Sequence, residues 1–143
     1  MNKLIDKKVG VYLKKENEME DYLDGLSRLS WLTHEFQNES IFTKLYIDEY
    51  LHTYKFNKLM EDIKEKKIEA VLIWSSDDII GNNLSDLVIR CFISKIPIIS
   101  FCEGEIGINE AMKIENERFI KKYKEYFVRT EISLKEQEEV VLV

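Results

Sequence analysis

The sequence has little of the residues that break or crosslink a chain. Its 143 residues include one proline, five glycines and two cysteines. With so few proline and glycine residues, no segment is typical of a flexible linker or of a low-complexity region. We therefore expect one domain over residues 1–143. Cys91 and Cys102 lie in apolar stretches, which favours free buried thiols in a reducing compartment over a disulfide.

Arginine is also scarce. The chain has 27 acidic and 21 basic side chains, a net charge of −6, and only four arginines among the basic residues. Proteins that hold duplex DNA by many phosphate contacts carry a cationic surface. Autonomous DNA binding is therefore not expected.

Long hydrophobic runs are missing. No apolar stretch approaches the roughly 20 residues of a membrane span, and the lysine-rich start does not resemble a signal peptide. We expect a cytoplasmic protein. The high lysine, isoleucine and asparagine content is typical of an AT-rich bacterial or phage genome.

The most informative stretch is Ile68 to Asp78, an apolar run that stops abruptly on Ser75, Ser76, Asp77 and Asp78. Such a run is typical of the central strand of a parallel sheet that is covered on both faces. Ligands of open α/β sheets bind outside the carboxyl ends of the strands. Chemistry is therefore to be sought at these four residues.

Strand and helix patterns alternate along the chain. This alternation predicts an α/β fold: a three-layer, doubly wound, mainly parallel sheet of four or five strands with helices on both faces. Strands are predicted at 9–13, 44–47, 70–74, 98–101 and 140–143, and helices at 18–36, 56–63, 84–95 and 109–127.

The order of elements and several motifs resemble the catalytic domain of the serine recombinases, the resolvase and invertase family. In that family the first strand ends on Tyr-x-Arg-x-Ser, whose serine attacks a DNA phosphate. Here the stretch is Tyr12-Leu-Lys-Lys-Glu16. The tyrosine matches, Lys14 stands at the arginine position and Glu16 at the serine position.

Later motifs of the family are similarly altered. A segment Phe56-Asn-Lys-Leu-Met-Glu-Asp-Ile63 matches the family's helix, but Thr53 replaces an arginine before it. The family's Asp-Arg-Leu-x-Arg is Asp77-Asp-Ile-Ile-Gly81 here, so Asp78 and Gly81 replace two phosphate-binding arginines. The carboxylate of Glu16 at the serine position would repel the phosphate, and the lost guanidinium donors remove transition-state stabilisation.

The resemblance therefore implies a catalytically inactive resolvase-like domain, not an enzyme, without cofactor and without the family's C-terminal helix-turn-helix domain. It also implies protein contacts: a homodimer or a complex with another protein, as in a mobile element or phage. The family's subunit interface lies on the long last helix. The matching apolar residues here are Met112, Phe119, Ile120, Tyr123 and Phe127.

Three alternatives rest on the charged residues. Carboxylates at strand ends suit Mg²⁺, so Glu16, Asp77 and Asp78 could form a Toprim-like metal site for phosphoryl transfer or hydrolysis. A receiver domain would need an acidic pair after the first strand, where lysines stand. A non-catalytic DNA-binding regulator would use the lysines at 14, 15, 64, 66 and 67.

Overall fold

The computed structural model describes residues 4, 6–15, 28, 31, 42–81 and 83–142. Within these ranges, side chains are described except at 42, 43, 127 and 130–142. The predicted helix over 18–36 thus lies mostly outside the described residues, although Arg28 and Trp31 are both helical.

The described part of the chain has five strands and three α-helices. The strands are β1 Lys8–Lys14, β2 Phe42–Asp48, β3 Ala70–Ile73, β4 Ile98–Ser100 and β5 Gly104–Glu105. The helices are α1 Tyr54–Lys64, α2 Asn83–Ser94 and α3 Ile108–Leu142, and a 3₁₀ turn spans Ser76–Asp78 between β3 and α2.

The strands form one sheet in the order β2-β1-β3-β4-β5. The first three pairings are parallel, and only β5 runs antiparallel to β4. The carboxyl ends of β1, β2, β3 and β4 consequently meet at one edge of the sheet. The predicted α/β class with a mainly parallel sheet is confirmed.

Both faces of the sheet are buried. On one face Tyr12, Tyr46 and Ile73 pack with residues of α1, α2 and the start of α3. On the other face, Val11 and Leu72 belong to a second buried cluster of small and branched side chains from β1, β3 and β4. Alternate residues of the strands thus serve opposite layers, as the predicted three-layer arrangement requires.

Two expectations are corrected by the structure. The last helix is far longer than the predicted 109–127, and residues 140–142 belong to it instead of an edge strand. Residues 131–139 are mostly Glu, Lys, Gln and Leu, which favour helix, and neither glycine nor proline interrupts the chain after 127. Cys102, expected to be buried, is exposed, whereas Cys91 is buried; both are free thiols.

A buried carboxylate fastens α1 to β2. Asp62 is fully buried and accepts hydrogen bonds from the Tyr46 hydroxyl and from Lys44 Nζ at 2.8 Å. Lys58 Nζ lies 3.4 Å from its other oxygen. Burial alone would raise the pKa of Asp62, but the hydrogen bonds from Lys44 and Tyr46 and the lysine charges lower it to about 2.

Acid should therefore weaken the fold through this residue. Since the folded pKa is depressed, the stabilisation is complete above the unfolded value of 3.8 and is lost as the pH falls toward about 2. We expect Asp62→Asn to lower stability at neutral pH and to flatten its fall below pH 4. Urea titrations across that range measure both, with the exposed Asp86→Asn as control. Parallel curves for wild type and Asp62→Asn would contradict this assignment.

Candidate functional site

The site predicted from sequence is the carboxyl edge of the sheet. Lys14, Asp77 and Asp78 all lie there, at the ends of β1 and β3. Thr53 precedes α1, close in sequence to the end of β2. Glu16 lies outside the described residues, so its place at this edge stays a prediction.

Asp48, the last residue of β2, organises the start of α1. It is buried, and its carboxylate accepts the Tyr12 hydroxyl at 2.7 Å and the backbone N–H groups of Lys55 and Phe56 at 2.7 and 3.0 Å. Burial, reinforced by the hydrogen bond to Asp48, raises the pKa of Tyr12 far above its usual value. Thr53 stands at the N-cap position but makes no side-chain capping bond. Asp48 performs that task from the neighbouring strand.

The two lysines at the end of β1, Lys14 and Lys15, both bond to the loop that follows β2. Lys14 is only 8% exposed and donates from Nζ to the His52 carbonyl oxygen at 2.8 Å. Lys15 pairs with Glu49 at 2.7 Å. Lys14 therefore stands where the resemblance places an arginine, with one of its donors already used inside the domain.

Asp78 is neutralised by an arginine that sequence reasoning did not assign. Arg28 Nη1 lies 3.2 Å from Asp78 Oδ1, and Arg28 Nη2 donates to the Lys14 carbonyl oxygen at 2.8 Å. Both side chains are buried. The carboxylate that stands at an arginine position of the family motif is therefore paired within the domain. The one signal for Arg28 was its position between the apolar Leu26 and Leu29.

A second hydrogen-bonded group lies at the ends of β3 and β4. Glu103 accepts hydrogen bonds from the Ser76 backbone N–H at 2.7 Å, from the Ser76 hydroxyl and from the Ser100 hydroxyl at 2.8 Å. Burial opposes ionisation of Glu103, but these donors lower its pKa. Ser76 is buried, so its hydroxyl positions the turn from within the domain.

The long helix α3 is attached to this edge by two charged residues. Arg118 donates to the carbonyl oxygens of Ser76 and Ile79 at 2.7 and 3.1 Å, which closes the 3₁₀ turn. Glu115 accepts the Ser85 N–H at the start of α2 at 3.2 Å. From the sequence alone, the alternating acidic and basic residues of 113–124 predict the solvated face of this helix. For these two that assignment is wrong.

The remaining predicted positions differ in exposure. Asp77 is exposed while its neighbour Asp78 is buried, so the two carboxylates do not converge. Gly81 is exposed and has φ +53°, a backbone conformation that favours glycine over the family's arginine. Within residues 4, 6–15, 28, 31, 42–81 and 83–142, no three His, Cys, Asp or Glu side chains gather as metal ligands would.

The residues predicted to form an interface lie on the outer surface of α3. Met112, Phe119, Ile120 and Tyr123 are between 43% and 68% exposed. Phe127 is part of the same helix, but its side chain is outside the described set. None of the helices in the described part of the chain is apolar over a length that could cross a membrane.

Together these elements form a resolvase-like α/β fold. Among solved structures, the chain is similar to the C-terminal catalytic domain of ISC1926 TnpA, an IS607-like serine recombinase. The two share 15% identity with a TM-score of 0.53, over 74% of this chain and 75% of the other. No protein-family model and no curated protein matches the sequence. The resemblance to serine recombinases is thereby confirmed as a likeness of fold.

The same finding corrects the expectation that the chain is not an enzyme. That expectation is overturned by the similarity to a catalytic recombinase domain, because this is a fold that carries catalysis. Two guanidinium groups lie at the carboxyl edge, from positions outside the family motifs. Arg28 donates to the carbonyl oxygen of Lys14 and Arg118 to that of Ser76, so both bind acceptors within the domain.

The Arg28–Asp78 pair should contribute much more to stability than the carboxylate of the adjacent residue, Asp77. Asp78→Ala leaves a buried guanidinium without its carboxylate, which we expect to cost about 3–5 kcal/mol. Asp77→Ala removes an exposed carboxylate one residue away and should cost less than about 1 kcal/mol. Urea unfolding followed by circular dichroism compares the two variants.

A matched double variant separates the charge from the packing. Arg28→Met with Asp78→Leu removes both charges and keeps apolar volume, so it should recover most of the stability lost in Asp78→Ala. Equal losses for Asp77→Ala and Asp78→Ala would show that the buried pair has no special part in holding this edge together.

Proposed function

We propose that this chain is a resolvase-like domain that acts through protein contacts, and that it forms a homodimer by packing α3 against the α3 of a second copy. The observation that carries the proposal is the exposed apolar surface of that helix. Large exposed apolar patches on soluble domains mark interaction sites.

The helix is held against the domain at one end, and its described side chains are exposed along the next part. Ala111 is buried in the core, and Glu115 and Arg118 bond to the body of the domain. From Phe119 to Arg129, every described side chain is exposed. A helix with aromatic residues along such a length gains most of its stability from packing and needs a partner for that purpose.

The spacing of the exposed residues suits a helix pair. Met112, Phe119, Tyr123 and Tyr126 follow each other at intervals of seven, four and three residues. These are the intervals of a seam between two helices. Phe119, Tyr123 and Tyr126 are 59–69% exposed. Two copies would contribute six aromatic side chains, enough to remove roughly 1,000 Å² from water.

A second copy is the simplest partner because the same seam is then present on both sides, which is the arrangement of a two-fold symmetric interface. The alternative is another protein with a helix of this kind. The candidate we would test for that role is an active recombinase of a mobile element, since the chain resembles the catalytic domain of a serine recombinase.

Solution mass tests the dimer. Light scattering over a concentration series should give twice the monomer mass of 17.0 kDa for the wild type. Phe119→Asp with Tyr123→Asp should give folded monomers, because two buried negative charges per subunit face each other in the seam. The control, Lys121→Asp with Lys122→Asp, places the same two aspartates beside the seam and should remain dimeric.

A wild type that stays at 17.0 kDa at every concentration would contradict the homodimer. A dimer that both double variants leave intact would place the interface away from α3. Unchanged circular dichroism in each variant would show that a fall in solution mass comes from loss of association and not from unfolding.

A further inference from the structure

The amino edge of the sheet, opposite the predicted site, has a composition that the proposed function does not explain. Two adjoining cavities of about 500 and 480 Å³ open there and share Lys7, Lys95 and Ile96 in their walls. One is largely apolar and the other is largely basic. Their combined size is that of a small-molecule site.

The apolar cavity lies between the end of α2, β4 and the start of α3. Its wall includes the buried Val88 and Cys91 and the exposed Phe92 and Ile108. The charged residues of the wall are Lys7, Lys95 and Glu105. Burial raises the pKa of Cys91 to about 12, so this wall carries no thiolate at neutral pH. The cavity is suited to an apolar chain or ring.

The adjoining cavity concentrates positive charge. Lys7, Lys8, Lys66 and Lys95 line it, against the single carboxylate of Glu69. Among the residues that the structure describes, none of the four ammonium groups has an ion-pair partner. On a chain of net charge −6, this local excess of cations is a departure that favours an anionic ligand.

Helix termini explain only half of the cluster. Lys66 and Lys95 follow α1 and α2 and have φ of +62° and +58°. Because they lie at the C-terminal ends of those helices, their positive charges offset the negative ends of the helix dipoles. Lys7 and Lys8 come from the start of β1 and not from the end of α1 or α2. They add charge that the helix ends do not need.

We propose that the amino edge of this domain binds a small amphiphilic anion: an apolar chain or ring in the Phe92 cavity, with a phosphate or carboxylate head among the four lysines. The site is independent of the interface on the later part of α3. It uses the two properties of the cavities together, since the apolar wall selects the body of the ligand and the lysines select its head.

Calorimetry with octyl phosphate below its micelle concentration tests the site. Octyl phosphate should bind at least tenfold more tightly than inorganic phosphate or octanol. Affinity should rise up to about fourfold for each methylene added from butyl to octyl phosphate. It should fall in high salt, because exposed charges are screened. Equal binding of octyl phosphate and octanol, or a flat chain-length series, would overturn the proposal.

Two pairs of matched variants assign the contacts. Lys66→Gln with Lys95→Gln should weaken octyl phosphate binding about tenfold or more, while Lys55→Gln with Lys122→Gln removes the same charge elsewhere and should not. Phe92→Asp should abolish binding, and Ile89→Asp, exposed on the same helix but outside the cavity wall, should leave it intact. All four positions in the lysine variants are exposed, so folding is retained.

Two outcomes would refute the site. Binding unchanged by Lys66→Gln with Lys95→Gln would show that the lysines do not hold the head group. Binding seen only with anionic lipid vesicles, and not with monomeric octyl phosphate, would show a membrane surface in place of a single ligand. Neither outcome depends on whether the protein is a dimer.

Discussion

The ion pair between Arg28 and Asp78 joins three segments that are distant in sequence. Arg28 comes from the part of the chain between β1 and β2, Asp78 follows β3, and the same guanidinium holds the carbonyl oxygen at the end of β1. Because both charges are buried, neither can be removed alone without a large cost. Two other carboxylates at the carboxyl edge of the sheet are satisfied in the same way. Asp48 accepts hydrogen bonds from Tyr12 and from backbone N–H groups, and Glu103 accepts them from Ser76 and Ser100.

The fold could be read from the sequence because it rests on local patterns. The continuous apolar run at Ala70–Ile73 identified the central strand, and the spacing of Phe56, Leu59 and Ile63 identified α1. Helix ends were harder. The chain beyond 127 has both β-branched residues at its end and strong helix formers before it, and the helix formers decide the conformation to Leu142.

The site was less predictable because its chemistry depends on partners, which spacing does not reveal. Asp78 stands at an arginine position of the family motif, but its partner Arg28 lies 50 residues away in the chain and no motif links the two. Thr53 read as a degenerate binding position, yet the cap of α1 comes from Asp48 on a neighbouring strand. Motif positions identify which residues have changed, whereas the burial and partners of each side chain determine what the change does.

The helix α3 connects the two edges of the sheet physically. It begins at Ile108, which lines the apolar cavity at the amino edge. Ten residues later, about 15 Å along the helix, Arg118 closes the 3₁₀ turn at the carboxyl edge. Phe119 and the exposed seam follow directly. A partner that shifted α3 would therefore act on the turn that carries Asp78 and on the mouth of the cavity at once, since packed helices move as rigid bodies. The charged contacts of Glu115 and Arg118, which the sequence pattern assigns to solvent, are the bonds through which such coupling would pass.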